Sequence, residues 1–241
     1  MILLGGGLSV DSKTAHVMVV TPHPDDAEFG VAGTVAHWTN KGREVVYVVC
    51  TNGNKGTDDV TMKPEVLSEI RQEEQRAAAK LLGVREVKFL NHPDQGLEDT
   101  IEFRKEIVRL IRVYRPETVV TADPYRRYVW HRDHRITGQV TLDAVFPYAR
   151  DYFSYPDLIE EGIMPHKVKE VLFWAAEDVN YRSDITETFD VKMAALRCHT
   201  SQVGRIPPGE LERRLRERHR MLAEGEDFEL AEGFHRVEVW Q

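Results

Sequence analysis

Cysteine is nearly absent. Only Cys50 and Cys198 occur, in neither a Cys-x-x-Cys pair nor a Cys/His cluster, so no disulfide framework is readable. Such thiols are by default buried in a reducing compartment, and a cytoplasmic location is expected. Long apolar runs are missing too. No stretch approaches the roughly 18 consecutive apolar residues of a membrane span. The opening Met1-Ile2-Leu3-Leu4-Gly5-Gly6-Gly7 lacks the basic segment and the apolar length of a signal peptide. There is no basic block: 40 acidic against 32 basic residues give a net charge of -8, which argues against a nucleic-acid groove. The longest charged stretch, Glu210 to Arg220, mixes signs and reads as a solvated helix face. Internal repeats and low-complexity linkers are also absent. The loop from Asn52 to Gly56 is too short for a P-loop and lacks its Lys-Ser/Thr end, so nucleotide binding is not expected.

What is present is a regular alternation. Residues 1 to 14 read as a loose glycine-rich lead-in. Short β-branched or apolar runs at His16–Thr21, Glu44–Thr51, Glu86–Leu90, Thr118–Ala122 and Lys169–Ala175 read as strands. Between them, helical spacing covers Ala27–Lys41, Pro64–Leu82, a segment capped by Asp99 and running to about Tyr114, and His131–Val145. Later, Thr186–Val191 reads as a short strand, and Val191–His199 and Glu210–Glu224 as helices. This pattern predicts an α/β fold with a mostly parallel sheet covered on both faces. With 41% hydrophobic residues in 241, the core can be large enough for one such domain.

The unusual residues fall after the strands. His23-Pro24-Asp25-Asp26 follows the first, Thr51-Asn52-Gly53-Asn54 the second, Asp94-Gln95-Gly96 the third, and a loop leading to His131-Arg132-Asp133-His134 the fourth. In an open parallel sheet these loops share the carboxyl edge, where such folds bind ligands. Pro24 biases His23 away from helical angles, so the turn can aim His23 and Asp26 at one point while Asp25 projects differently. The plain alternative is a helix start in which Asp25 or Asp26 is only a cap. His131 and His134 share a face at the start of a helix, and Asp133 between them can fix the tautomer of a ring. Together His23, Asp26 and His134 make two imidazoles and a carboxylate with an open position. That set suits catalytic zinc, and composition does not separate zinc from non-haem iron(II).

At these residues the sequence resembles the LmbE-like or PIG-L-type deacetylases, zinc-dependent enzymes that remove N-acetyl groups from glucosamine derivatives. The resemblance rests on Pro22-His23-Pro24-Asp25-Asp26 and His131-Arg132-Asp133-His134. It extends to Gly30-Val31-Ala32-Gly33-Thr34, Thr51-Asn52-Gly53, Arg71 with Glu74, Asp94-Gln95-Gly96-Leu97 and Leu196-Arg197-Cys198-His199-Thr200-Ser201-Gln202. It implies a Rossmann-like three-layer αβα sandwich: one domain over residues 1–241, with its core at about 16–202 and a C-terminal helix and extension at 203–241. It also implies that His23, Asp26 and His134 bind Zn2+, that Asp25 is the general base, and that His131 is an electrophile or acid oriented by Asp133. Arg71 and Asp94 match positions that hold sugar hydroxyls. Some members place a tyrosine two residues before the first His of the second motif; here that residue is Val129, beside Tyr128.

The expected chemistry is amide hydrolysis of an N-acetylglucosamine-type sugar derivative. Asp25 takes the proton of the attacking water, protonated His131 stabilises the oxyanion, and acetate and a free amino sugar leave. The expected partner is that small amino-sugar substrate, with no nucleic acid; analogy adds a homo-oligomer. Two other readings stand beside this one: a two-His-one-carboxylate iron oxidoreductase, and a non-catalytic sugar-binding module. The carboxylate of Asp25 beside the ligand set argues against both. The segment from Asp151 to Ile163 and the Ile206-Pro207-Pro208 turn are expected to shape the pocket.

Overall fold

The computed structural model describes residues 14–207 and 209–240. The lead-in at 1–13 and Pro208 of the expected pocket turn lie outside the described residues. Five strands, Val17–Thr21 (β1), Val45–Thr51 (β2), Glu86–His92 (β3), Thr118–Ala122 (β4) and Glu170–Trp174 (β5), run parallel in the order β3-β2-β1-β4-β5. The predicted α/β architecture with a mostly parallel, doubly covered sheet is the one observed.

Strand β1 shows why the sheet needs two covers. Met18 and Val20 pack with Phe103, Ile107 and Ile111 of α3 (Ile101–Tyr114), while Val17 and Val19 pack with Val31 and Val35 of α1 (Asp26–Asn40). Neighbouring side chains on a strand point to opposite faces, so a strand that is apolar throughout is buried twice. Each buried Val contributes about 1.5–3 kcal/mol. Helix α2 (Pro64–Leu81) starts at its proline and stops before Gly83, whose φ is 71°, as the sequence predicts.

The strand order reverses direction at β1, and α1 and α4 (Arg132–Asp143) start after β1 and β4, the two strands beside that point. Helix α4 lies very close to the end of β4: a Cβ on Gly138 would sit 2.2 Å from the carbonyl oxygen of Ala122. A side chain there would push α4, with its histidine, away from the crevice.

Several boundaries differ from expectation. Thr100, not Asp99, caps α3, its hydroxyl accepting the Phe103 amide at 3.1 Å; Asp99 instead pairs with Arg104. The helix expected through Val145 ends at Asp143 and passes into a π-helical turn at Ala144–Tyr148, where Phe146 has extended angles and Pro147 has no amide to donate. A short α5 follows at Pro156–Glu160. The strand expected at Thr186–Val191 is not there. The strand is Tyr181–Asp184 (β6), and α6 occupies Phe189–Arg197. Thr188 spends its hydroxyl on the Gly33 carbonyl at 2.8 Å. After α7 (Thr200–Val203) and α8 (Glu210–Leu222), the C-terminal extension returns as Ala231–Glu238 (β7), antiparallel between β5 and β6. Its Glu, Gly, His and Arg are poor strand signals. What buries Glu232 there is Lys192 of α6, whose Nζ lies 2.6 Å away.

Candidate metal centre

Asp25 occupies the N-cap position of α1 with φ of 99°, and its side chain makes no capping hydrogen bond. The plain-cap alternative therefore does not describe Asp25. Asp26 turns back instead. Its Oδ2 accepts the His23 amide at 3.0 Å, lies 2.9 Å from His23 Nδ1 and 3.2 Å from His134 Nε2. Residues from β1's loop and from α4 thus meet at one carboxylate oxygen.

The other nitrogen of His23 faces a second acidic group. Its Nε2 is 3.1 Å from Asp94 Oδ1 and 3.3 Å from Asp133 Oδ2. Ligand atoms of His23, His131 and His134 lie within 4.8 Å of one another, and so do those of His23, Asp94 and Asp133. These groupings share His23, whose two nitrogens face opposite ways. A ligating imidazole commonly donates its other N–H to a carboxylate. Nε2, facing the two buried carboxylates, fits that donor role, and Nδ1, beside the Asp26 oxygen that His134 also meets, fits the metal. The donor set of His23, Asp26 and His134 thus fits a divalent ion.

Charge supports this division. Burial opposes protonation of His23, but bonds to Asp133, Asp26 and Asp94 push its pKa up to about 11. Burial likewise opposes ionisation of Asp26, but His134 and His23 hold its carboxyl well below the usual range. Among so many carboxylates, His23 requires a cation, either a proton or a metal. Asp25 shifts the other way: burial first, then the charge of Asp26, push it above the usual carboxylate range, against Arg71, His199 and His23.

His131 is the N-cap of α4, its Nδ1 accepting the Asp133 amide at 3.2 Å. A neutral ring so bonded carries its proton on Nε2. Desolvation, then His23 and His134, lower its pKa, and the bond at Nδ1 suits a ring that offers Nε2–H as a donor. The Asp133 carboxylate does not orient His131. It faces His23 and accepts the amides of Gln95 at 2.7 Å and Leu97 at 3.3 Å, tying the loop after β3 to α4. Trp130 walls one side, its ring 4.5 Å from that of His134 and its Nε1 donating to the Asp123 carbonyl. Tyr128 and Val129 are exposed, and among the described residues no tyrosine hydroxyl hydrogen-bonds to His131.

Arg71 and Asp94 are both buried. Arg71 is 3% exposed and donates to the carbonyls of Gly53 at 2.9 Å and Pro24 at 2.5 Å and to Asp25 Oδ1 at 3.2 Å. A Cβ on Gly53 would lie 2.6 Å from that guanidinium, which explains the glycine. Asp94 accepts the Lys55 amide at 3.2 Å besides meeting His23.

Sequence reasoning missed Gln75. Its Oε1 accepts the Asp25 amide at 2.9 Å and its Nε2 donates to Glu28 at 2.9 Å. The signal was available: Gln75 is four residues after Arg71 and shares its helix face. A separate cleft at the amino edge, lined by Arg43, Thr118, Lys169 and Arg236, is distant from this chemistry, and Lys169 and Arg236 are paired with Glu117 and Glu170.

The PIG-L family, described as GlcNAc-PI de-N-acetylase, matches residues 18–145, which contain both histidine motifs. This chain belongs to the PIG-L family. A diacetylchitobiose deacetylase of Thermococcus kodakarensis is 39% identical over 186 residues, covering 77% of this chain and 69% of that one. A probable N-acetyl-alpha-D-glucosaminyl L-malate deacetylase 2 of Bacillus subtilis is 31% identical over 192 residues, 78% of this chain and 83% of that one. Among solved structures, an N,N'-diacetylchitobiose deacetylase from Pyrococcus horikoshii, complexed with its inhibitor MPG, is similar with a TM-score of 0.88 and 30% identity, over 93% of this chain and 84% of that one. Among the described residues, no helix of this PIG-L chain is long and apolar enough to cross a membrane.

Proposed function

We propose that this chain is a zinc-dependent hydrolase that removes the acetyl group from an N-acetylglucosamine-type sugar derivative, releasing acetate. The observation that carries the reading is the meeting of His23 Nδ1, Asp26 Oδ2 and His134 Nε2 with the Asp25 carboxylate on the adjacent residue. PIG-L membership and the similarity to diacetylchitobiose and glucosaminyl-malate deacetylases supply the substrate class.

His23, Asp26 and His134 would hold the ion. Bound zinc supplies Lewis acidity, which acidifies water and polarises an acyl oxygen. Asp25, beside the ligands and not needed as one, accepts the proton of the attacking water. His131 presents Nε2–H to the oxygen that gains negative charge; one such donor is worth roughly 3 kcal/mol of barrier. Trp130 packs edge-on against the His134 ring. The leaving nitrogen takes the proton that Asp25 has accepted from the water.

The test is acetate release from a panel of N-acetylglucosamine conjugates, with and without added zinc. Zinc-dependent release from at least one conjugate is expected. Dioxygen uptake with iron and no acetate would favour the oxidoreductase reading, and sugar binding without turnover the non-catalytic one.

A further inference from the structure

The carboxylate proposed as the base rests on an unusual backbone. Asp25 has φ of 99°, a conformation L residues rarely adopt because Cβ crowds the neighbouring carbonyl. The turn must be held by its surroundings. Arg71 donates to the Pro24 carbonyl and Gln75 accepts the Asp25 amide, the two ends of the single peptide group that leads into Asp25. Both come from α2, which brings two fixed points to the back of the turn.

The Gln75 amide is itself fixed. A free carboxamide can flip and present its NH2 to the Asp25 N–H. Here Nε2 donates to Glu28 Oε1 at 2.9 Å, so Oε1 must face Asp25. Glu28 is fully buried and is held by His199, whose Nε2 lies 3.1 Å from its Oε2. The chain His199–Glu28–Gln75–Asp25 therefore runs from the late Cys198-His199-Thr200 stretch to the backbone of the base. The same stretch is clamped to α2 next door: Thr200 and Ser201 donate to Glu74 at 2.6–2.7 Å. Glu28, Gln75 and His199 do not touch the ligand oxygens, and no catalytic step uses them.

We infer that Gln75 is a positioning residue for Asp25: its carboxamide, oriented by the buried Glu28–His199 pair, holds the left-handed backbone that aims the base at the water. This inference rests on the reading of Asp25 as the base. Loss of the carboxamide lets the turn relax towards ordinary angles. It leaves His23, Asp26 and His134 to bind metal.

The experiment is a double-mutant cycle between Gln75 and Asp25, with zinc content and kcat and KM for acetate release measured on the full chain. Gln75→Leu in the wild-type background is expected to lower kcat at least 10-fold, with KM within twofold and zinc content unchanged. In the Asp25→Asn background it is expected to change kcat less than twofold. If Gln75→Leu does not fold, Gln75→Asn replaces it in the same cycle, since its shorter side chain keeps the amide and cannot span both partners. Equal losses in both backgrounds overturn the inference, as does an unchanged kcat with a crippled Asp25→Asn. Wild-type turnover by Asp25→Asn overturns the base assignment together with the inference, a result distinguishable from the other two.

Discussion

The carboxylate of Asp133 lies 3.3 Å from Nε2 of His23, a residue 110 positions earlier in the chain. Asp133 is also 0% exposed and accepts amides from the loop after β3. It therefore braces the histidine whose other nitrogen faces Asp26. Asp133→Ala is expected to weaken zinc binding about 10–100-fold, the usual loss when such a partner is removed. Chelator competition on the purified variant measures this, and an affinity within twofold of wild type would mean that Asp94 alone braces the ring.

His134 and His131 are neighbours with separable roles. Their ring centroids are 5.4 Å apart, but only His134 meets the Asp26 oxygen. His134→Ala is expected to lose zinc. His131→Ala is expected to keep full zinc content and lose kcat by about 10²–10³-fold, the cost of one missing donor at the developing charge. Metal analysis beside acetate release separates the two, and equal zinc loss in both would make His131 a ligand.

Lys192 and Glu232 are a buried pair with further work to do. Glu232 accepts the Gly33 and Thr34 amides of α1 at 3.0 and 2.8 Å, while Lys192 donates to the Phe29 carbonyl at 2.8 Å. Lys192→Met leaves a buried carboxylate without its cation and is expected to cost about 3–5 kcal/mol. Adding Glu232→Gln removes the charge but keeps an acceptor for only one of the two amides, so part of the loss should return. Urea unfolding of both variants checks this; a double variant no more stable than Lys192→Met would show that the unpaired charge is not what destabilises it.

His219 makes stability depend on pH. Burial first, then Lys192, lower its pKa to about 4, against roughly 6.5 in an unfolded chain. The folded ring is neutral, with Nδ1 2.7 Å from the Ala231 carbonyl oxygen. Between the two pKa values the unfolded state binds a proton that the folded state refuses. The contribution is thus intact above about pH 6.5 and is lost as pH falls towards 4. At pH 5 this loss is about 2 kcal/mol. In His219→Gln that share of the decline between pH 7 and 5 should vanish, and parallel stability curves for variant and wild type would refute the assignment.

The chain by itself determined the alternation of strands and helices, the two motifs and their placement after β1 and β4. Apolar runs and Pro/Gly punctuation are local signals, and a parallel sheet sends every such loop to one edge. The family was legible in the same residues. What only tertiary structure decided is which atom meets which. Asp133 sits between two histidines in sequence yet its carboxylate serves His23, because α4 starts with His131 as its cap and turns Asp133 towards the loop after β3. Arg71 points at the back of the turn. Sequence places Gln75 on the Arg71 face of its helix, but only the fold brings that face to Asp25, 50 residues away. Strand β7 escaped for a related reason: its Glu232 is buried in the sheet against Lys192, 40 positions away. Short-range pattern selects elements, whereas hydrogen-bond partners of buried polar groups are set by long-range packing that no local pattern records.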